Sequence, residues 1–540
     1  MKNYLQPHLL SLVFGLFFLL PAPAFSLYTN YYVKASATGA GDGSSWTNAF
    51  TNLQVAIDAA SVGDTICVAA GTYLPTHRHT GDSLRHSTFY INKDIAVYGG
   101  FSGEPGTEGS SAGRDPKLFV TTLSGDLGIP GDTIDNSFHV VFIDHVSDTM
   151  RLDGFHITDG NTFGGGGLET YGAGIYADAF AGRCNPVIAN CTIRDNHADQ
   201  SGGGIAFYAE FGGVSRPTLL NCHIIRNIAG GGGGMMGYVD SDGMIYPMMI
   251  NCYFQGNTAR TAQGSAMSFI VHSATSVPQI INCVVTGNHS PTSSAVDIFL
   301  TGTGLAQPTI INSVFSGNNN GSFRVSSIGT VESNIEVRNS IFWNNGFGHG
   351  LTTNNAVAHV TNSIMQNSFE GEGNLASDPL FVEQPSSQGT PHTNGDVHLL
   401  PGSPAIDAGD NGAVPADIVV DAAGLPRFVN VNTGEPGGIV DIGAFEYQEA
   451  ITSTKSIFKT LEWSVYPTPA IDVVNLNLPS SDTDSQLDVW SVNGTKLWST
   501  KVGPEQTNMQ IKVDRWPAGM YLIAVSTHGN TDVRKFNIEK

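Results

Sequence analysis

The stretch PVIANCTIRDN, Pro186 to Asn196, returns four times: as PTLLNCHIIRN from Pro217, PMMINCYFQGN from Pro247, PQIINCVVTGN from Pro278 and PTIINSVFSGN from Pro308. Its central asparagines, Asn190, Asn221, Asn251, Asn282 and Asn312, are 31, 30, 31 and 30 residues apart. A fixed period of this size marks a stacked repeat architecture. Degenerate copies lie around Asn339 and Asn362, and an earlier one starts at Leu152. Each copy holds short β-branched or aromatic runs in period two, bounded by Gly, Asn and Pro, with no helix-length pattern. That excludes helical solenoids. A propeller blade needs four antiparallel strands and hairpin turns, and the copies offer too few of either. A coil of three short parallel strands fits, with equivalent residues of neighbouring coils stacked at roughly 4.8 Å.

Stacking accounts for the identities within the repeat. Each central Asn sits at a bend, where its side-chain amide can bond the Asn of the next coil. Cys191, Cys222, Cys252 and Cys283 then point inward, with Ser313 in the fifth place, beside Ile193, Ile224 or Ile225, Phe254, Val285 and Phe315. Buried cysteine behaves as a small hydrophobe, so the Asn-Cys column reads as packing and not as a metal or catalytic centre.

The chain opens with Lys2, an apolar run from Leu9 to Leu20, and Pro21-Ala-Pro-Ala-Phe-Ser26. This is the pattern of a secretory signal peptide over 1–26, with cleavage expected between Ser26 and Leu27. No later segment is apolar enough to span a membrane. Export permits disulfides. Of six cysteines four lie in the column, Cys184 and Cys191 are near enough to pair, and Cys67 is expected in an early coil. The net charge of −22 argues against nucleic acid and anionic membranes as partners. It suits an extracellular protein, including one that holds cations such as calcium.

Residues 27–150 read as an N-terminal cap and early irregular coils. Thr47 or Thr51 can cap a helix whose apolar face is Leu53, Ile57 and Ala60, ended by Gly63. Asp64-Thr-Ile-Cys-Val-Ala-Ala reads as the first buried strand, and the helix as the plug over the first rung. FTNLQVAIDAASVGDTICVAAGTY, Phe50 to Tyr73, resembles the opening of right-handed parallel β-helix proteins of the pectin-lyase-like class. The class implies a right-handed parallel β-helix. It holds polysaccharide lyases and surface proteins alike, so it marks fold and not activity. The regular repeats run over 151–374.

SDPLF at Ser377, GDVHLLPGSPAIDAG at Gly395, AAGLPR at Ala422 and DIGAFEY at Asp441 resemble, in order, the choice-of-anchor Q type module of bacterial surface β-helix proteins. It spans 375–448 and is expected to close the C-terminal end of the solenoid. A linker follows at 449–459. WSVYPTPAIDVVNL at Trp463, LDVWSVNGTKLW at Leu487 and WPAGMYLIAVSTHGNTDVRKFNIEK at Trp516 resemble the type A C-terminal sorting domain of the type IX secretion system, over 460–540. Apolar and polar residues alternate there as in an antiparallel, Ig-like sandwich. The resemblance implies a Bacteroidota-type host, the secretion machinery as a partner, and delivery to the cell surface or beyond.

Catalytic signatures are sparse. Lyases of this fold use a Lys or Arg base beside a cation, yet no lysine lies between Lys117 and Lys455. Arg183, Arg194, Arg216, Arg226 and Arg260 remain, and read as a solvated outer face. Gly348-His349-Gly350 copies one element of the polygalacturonase-like class, but the chain has no Asp-Asp pair, and hydrolysis needs paired carboxylates. His197, His223 and His272 share no coil position, which disfavours zinc. The better constellation precedes the repeat prolines: Tyr176 and Asp178, Tyr208 and Glu210, then Tyr238, Asp240 and Asp242. The register aligns these loops into an acidic-aromatic strip suited to glycan, with Asp178, Asp240 and Asp242 as candidate calcium ligands. Glycan or surface-ligand binding is the leading expectation, ahead of a polysaccharide lyase or glycoside hydrolase, and of a passive adhesin stalk.

Overall fold

In the computed structural model each copy of the repeat forms one coil of a parallel β-helix. The described residues are 29–539 except 110–112, 262, 329–332, 348–349, 430–436, 449–462, 479–483, 492–495, 505 and 528–529. The expected leader with its Ser26–Leu27 junction, the linker 449–459 with Lys455, and His349 lie outside them.

One coil shows the logic. Val187–Ala189 forms the first strand, Asn190 turns the corner, and Thr192–Arg194 forms the second. A glycine-rich corner leads to the third, Ile205–Ala209. Among the described residues, the first sheet has eleven strands, from Asn30–Val33 to Ala356–Thr361. The second has ten, from Gly71–Tyr73 to Ile364–Met365. The third also has ten, from His77–Arg78 to Leu351–Asn354. Five further two-residue strands, Arg183–Cys184 to Leu305–Ala306, stack as a fourth sheet. The regular coils therefore carry a short fourth strand beyond the three expected. It is the return leg between the turn after the third sheet and the repeat proline.

Inward positions alternate along every strand. Ile188, Leu219, Met249, Ile280 and Ile310 fill one level, and Phe207, Phe269, Phe254 and Phe315 others, all fully buried. Cys191, Cys222, Cys252 and Cys283 belong to the same core. All six cysteines are free thiols, so Cys184 and Cys191 do not pair. Cys184 lies in the fourth sheet and Cys191 past the Asn corner, with a whole first-sheet strand between them.

The central asparagines take φ between 47° and 54°, a left-handed conformation that Asn tolerates better than most residues. Their amides join in series at 3.1 Å: Asn221 to Asn190, Asn251 to Asn221, Asn282 to Asn251. A second column uses the last Asn of the motif. Asn196, Asn227, Asn257, Asn288, Asn318 and Asn345 are completely buried. Each of the first five donates from Nδ2 to Oδ1 of the next, at 2.8–3.1 Å.

The N-terminal helix is Leu53–Ala59, with Leu53, Ala56 and Ile57 buried. Its cap is Asn52, not Thr47 or Thr51: Asn52 Oδ1 accepts from Gln54 N at 2.8 Å and Val55 N at 3.4 Å. An Asx side chain two residues ahead of the free N–H groups reaches them directly. Asn30–Val33 pairs in register with the start of Thr65–Ala69, so the sheet begins one strand earlier than the run after Asp64. That four-residue strand is too short for its alternation to stand out.

The segment 375–448 lies along the flank of the late coils. Its Phe381, Val397, Leu399, Ala405, Ile442 and Phe445 cover Val284, Val314, Ile341 and Ile364 of the second sheet. The coil end itself is continued by Leu375, which bridges to Ile364. The segment's main chain takes over the asparagine column: Asn282 Nδ2 donates to Val420 O at 2.9 Å, Asn312 to Asp441 O at 3.3 Å and Asn339 to Asp410 O at 2.9 Å.

Residues 450–540 form a separate compact unit. Ser464–Tyr466, Val473–Asn477 and Asn508–Lys512 make one antiparallel sheet, and Ser485–Ser491, Lys496–Val502, Gly519–Thr527 and Asn530–Ile538 another. They enclose their own core of Val474, Leu476, Leu487, Val489, Ile511, Ile523 and Phe536. No helix among the described residues is long and apolar enough to cross a membrane.

Candidate functional site on the outer face of the third sheet

Parallel pairing sends alternate residues of the third sheet outward in straight columns. Tyr90, Phe142, Tyr176, Ala206 and Met236 form one such column, by the pairs Tyr90–Phe142, Phe142–Tyr176, Tyr176–Ala206 and Ala206–Met236. Asp144, Asp178, Tyr208 and Tyr238 form the next. Glu210 and Asp240 each stand one residue beyond the in-register pair Ala209–Val239.

These facts rearrange the expected strip. Its tyrosines and Asp178 and Asp240 are strand residues, not loop residues. Tyr176 falls two positions out of line with Tyr208 and Tyr238 and is wholly buried. Its ring lies 5.1 Å from those of His139 and Phe142 and 6.1 Å from Tyr208. The Tyr176 hydroxyl has no hydrogen-bond partner, and burial holds it firmly protonated. Tyr208 keeps 8% of its surface exposed and stacks on Tyr238, with centroids 5.0 Å apart and planes 8° from parallel. Those ring faces are used on each other, and the hydroxyls of Tyr208 and Tyr238 turn to Glu210 and Asp240.

The aromatic surface that solvent does reach is one step along, at Phe180 and Phe211. They are 45% and 62% exposed and touch across adjacent coils, with centroids 5.1 Å apart. Phe211 sits at φ 51° and Ala181 beside Phe180 at 52°, in the turns that end the third-sheet strands. The sequence carried a signal for this pair: each Phe lies one or two residues past an acid, in Asp178-Ala-Phe180 and Glu210-Phe211.

Carboxylates surround the pair. Asp178 accepts from Phe180 N at 2.9 Å. Burial, followed by the charges of Asp144 and Glu210, raises its pKa despite that bond. Asp144 stands in register with Asp178 and accepts from the Tyr90 hydroxyl at 2.7 Å. It also binds His145 Nδ1, while His145 Nε2 reaches Phe180 O at 3.0 Å. The bond to Asp144 raises the basicity of His145. Burial and then Asp144 push the Tyr90 phenol to about 12. Burial and then Asp240 do the same to Tyr238, whose hydroxyl lies 3.4 Å from Asp240 Oδ2. The sequence reading missed Tyr90, Asp144 and His145, because they precede the regular repeats.

The proposed calcium ligands do not converge. Asp178 and Asp240 stand two coils apart, or roughly 9.6 Å along the axis, while Ca²⁺ is held at about 2.3–2.6 Å. Asp242 is exposed in the following turn, at φ 63°. Among the described residues no group of three or more His, Cys, Asp or Glu side chains is arranged to hold a metal ion.

Four of the body's arginines are engaged, while Arg183, five residues past Asp178, is exposed. Arg194 and Arg226 both bind Asp195, at 2.6 and 2.7 Å. Arg260 donates to the carbonyls of Ala198 and Asp199, and Arg216 lies over the Tyr246 ring at 4.6 Å. Of the three histidines, His223 stacks flat on Tyr253 at 4.5 Å, on the second sheet.

Residues 464–539 match the family model of the secretion system C-terminal sorting domain. The chain thus carries a type IX sorting tail, which directs export across the outer membrane to the cell surface or the extracellular space. No curated protein matches the sequence. Among solved structures the chain is similar to the crystal structure of pectate lyase Pel9A, at 16% identity and a TM-score of 0.40, over 79% of this chain and 98% of that one.

Proposed function

We propose that this exported β-helix binds glycan on the outer face of its third sheet, at the patch formed by Phe180, Phe211, Asp178, Glu210, Tyr238 and Asp240. The observation that carries the reading is the Phe180–Phe211 pair, two exposed rings in contact beside carboxylates. Apolar ring faces take the C–H faces of sugars, and carboxylates take their hydroxyls. The solenoid underneath is rigid, so little ordering opposes binding. Retention of the full chain on immobilised polysaccharides tests this. Phe211→Ala should weaken retention by about 1–3 kcal/mol, by analogy with base stacking on aromatics, and leave melting unchanged. Retention indifferent to Phe180→Ala and Phe211→Ala removes the site.

One observation favours a second reading, hydrolysis. Asp144 and Asp178 face outward in register on adjacent strands, about 4.8 Å apart along the axis, and retaining glycosidases hold their carboxyls about 5–5.5 Å apart. The protonated partner would be Asp178, half-buried and with its pKa raised. New reducing ends that vanish in Asp178→Asn would establish it. Retention without new ends leaves binding, and neither leaves the stalk.

A further inference from the structure

Resting on the glycan-binding reading, we propose that the ligand is an amino-glycan with free ammonium groups, and not a polyuronate. The argument is charge complementarity over a defined surface. Asp144, Asp178, Glu210 and Asp240 lie on four successive coils along one edge of the third sheet. The strands Val141–Asp144, Ile175–Asp178, Ile205–Ala209 and Met235–Asp240 contain no lysine or arginine. At this edge His145 is bound to Asp144, His272 stands in register with Asp240, and Arg183 is exposed five residues past Asp178. A polyuronate would set its carboxylates against this row of carboxylates. Arg forks, which receive carboxylates, are absent from these strands, and Arg194, Arg226 and Arg260 are engaged elsewhere on the coils.

An ammonium-bearing chain reverses each term. One coil rises by about 4.8 Å, close to the length of one pyranose in an extended chain, so neighbouring sugars can meet the two carboxylates of each level pair, Asp144 with Asp178 and Glu210 with Asp240. Phe180 and Phe211 supply the apolar surface for the ring faces. An ammonium group brings up to three donors, and the carboxylates here are half-buried acceptors. Beneath the same face, the buried Tyr176 hydroxyl stands without a partner two residues before Asp178.

The test compares three immobilised polymers with the full chain: chitosan, chitin and polygalacturonate. Retention on chitosan should exceed that on chitin several-fold at low salt, fall as salt rises, and be absent on polygalacturonate. Combined Asp178→Asn, Glu210→Gln and Asp240→Asn should cut chitosan retention about tenfold or more, at two- to five-fold per exposed pair. The net charge of −22 could attract chitosan without any site. A control therefore neutralises three exposed acids elsewhere, Asp82, Asp148 and Glu372, and should change retention by less than about twofold. Equal losses in the two triple variants overturn the proposal as bulk charge. Equal retention on chitin and chitosan, or preference for polygalacturonate, overturns the amino-glycan while sensitivity to Phe211→Ala preserves the binding face. Retention on none of the three, or indifference to Phe211→Ala, removes that face as well.

Discussion

Asn227 lies in the solenoid interior, where its Oδ1 accepts from Asn196 N at 3.1 Å and Asn196 Nδ2 at 3.0 Å. Its own Nδ2 donates to Ile193 O and Asn257 Oδ1. Asn227→Ala leaves the buried Asn196 N–H without an acceptor, which costs about 2–3 kcal/mol. Asn221 is exposed, and its left-handed φ of 52° is open to glycine, so Asn221→Gly should cost about 1 kcal/mol or less. Equal losses on chemical denaturation would contradict this division of the two columns. The cysteine column is more permissive than its burial suggests. Ser313, Ser340 and Ser363 fill the same level in later coils, and each donates from Oγ to the carbonyl two residues back, at 2.8–2.9 Å. Cys222 Sγ has the equivalent carbonyl, Leu220 O, at 3.4 Å. Cys222→Ser should therefore cost less than about 1 kcal/mol, not the 1–3 kcal/mol of an unpaired buried hydroxyl. A loss above about 2 kcal/mol would show that serine cannot reach that carbonyl. The motif displayed both asparagine columns equally, but the second is buried throughout, while the first is exposed at Asn190 and Asn221 and covered by the flanking segment at Asn282, Asn312 and Asn339.

At the scale of elements, the tenth position of the repeat reads Asp195, Arg226, Gly256, Gly287, Gly317, all at positive φ. The change to glycine follows the flanking segment: a Cβ at Gly287 would stand 2.1 Å from His392 O, and one at Gly317 2.6 Å from Pro385. The uncovered coils keep charged residues there. This was legible as a pattern yet not as a contact, since a repeat period predicts neighbours along the axis and nothing about what lies on the flank. The strip failed for a related reason. Tyr176 stands ten residues before its proline and Tyr208 nine, and the turn after Asp178 is one residue shorter than the turn after Tyr208, which together put Tyr176 two positions out of the Tyr208 column and under the surface. Inside the flanking segment, Arg427 is fully buried, 3.9 Å from Glu446 and near Asp421 and Asp441. Burial pushes Asp441 to about 6, and burial and then Asp441 push Glu446 to about 8, because Arg427 stands too far from Glu446 to bond it. Both folded values exceed those of free carboxyls, so the folded state binds more protons between about pH 4 and pH 8. The segment's stability is then greatest at the acid end and falls as pH rises through that window. Melting temperature should fall from pH 5 to pH 8, and Glu446→Gln should flatten the fall. An unchanged slope in Glu446→Gln would locate the dependence elsewhere.

For the whole molecule, the decisive feature is that two cores share no residue. The solenoid core and its flanking cluster run to Phe445, with Tyr447 packed against them, while the C-terminal core begins at Trp463. The chain divides between Glu449 and Ala450, and the sorting match lies wholly beyond that point. Removing 450–540 therefore deletes the export address without taking one side chain from the solenoid. The truncated chain should fold, keep its melting temperature within a few degrees, and accumulate in the periplasm. A fusion of 450–540 to an unrelated periplasmic reporter should carry that reporter across the outer membrane. Surface display of the truncated chain would mean that the solenoid itself carries an address. Loss of folding on truncation would mean that the two units stabilise each other. If the reporter stays periplasmic while the full chain is displayed, the tail is necessary but needs the solenoid for export.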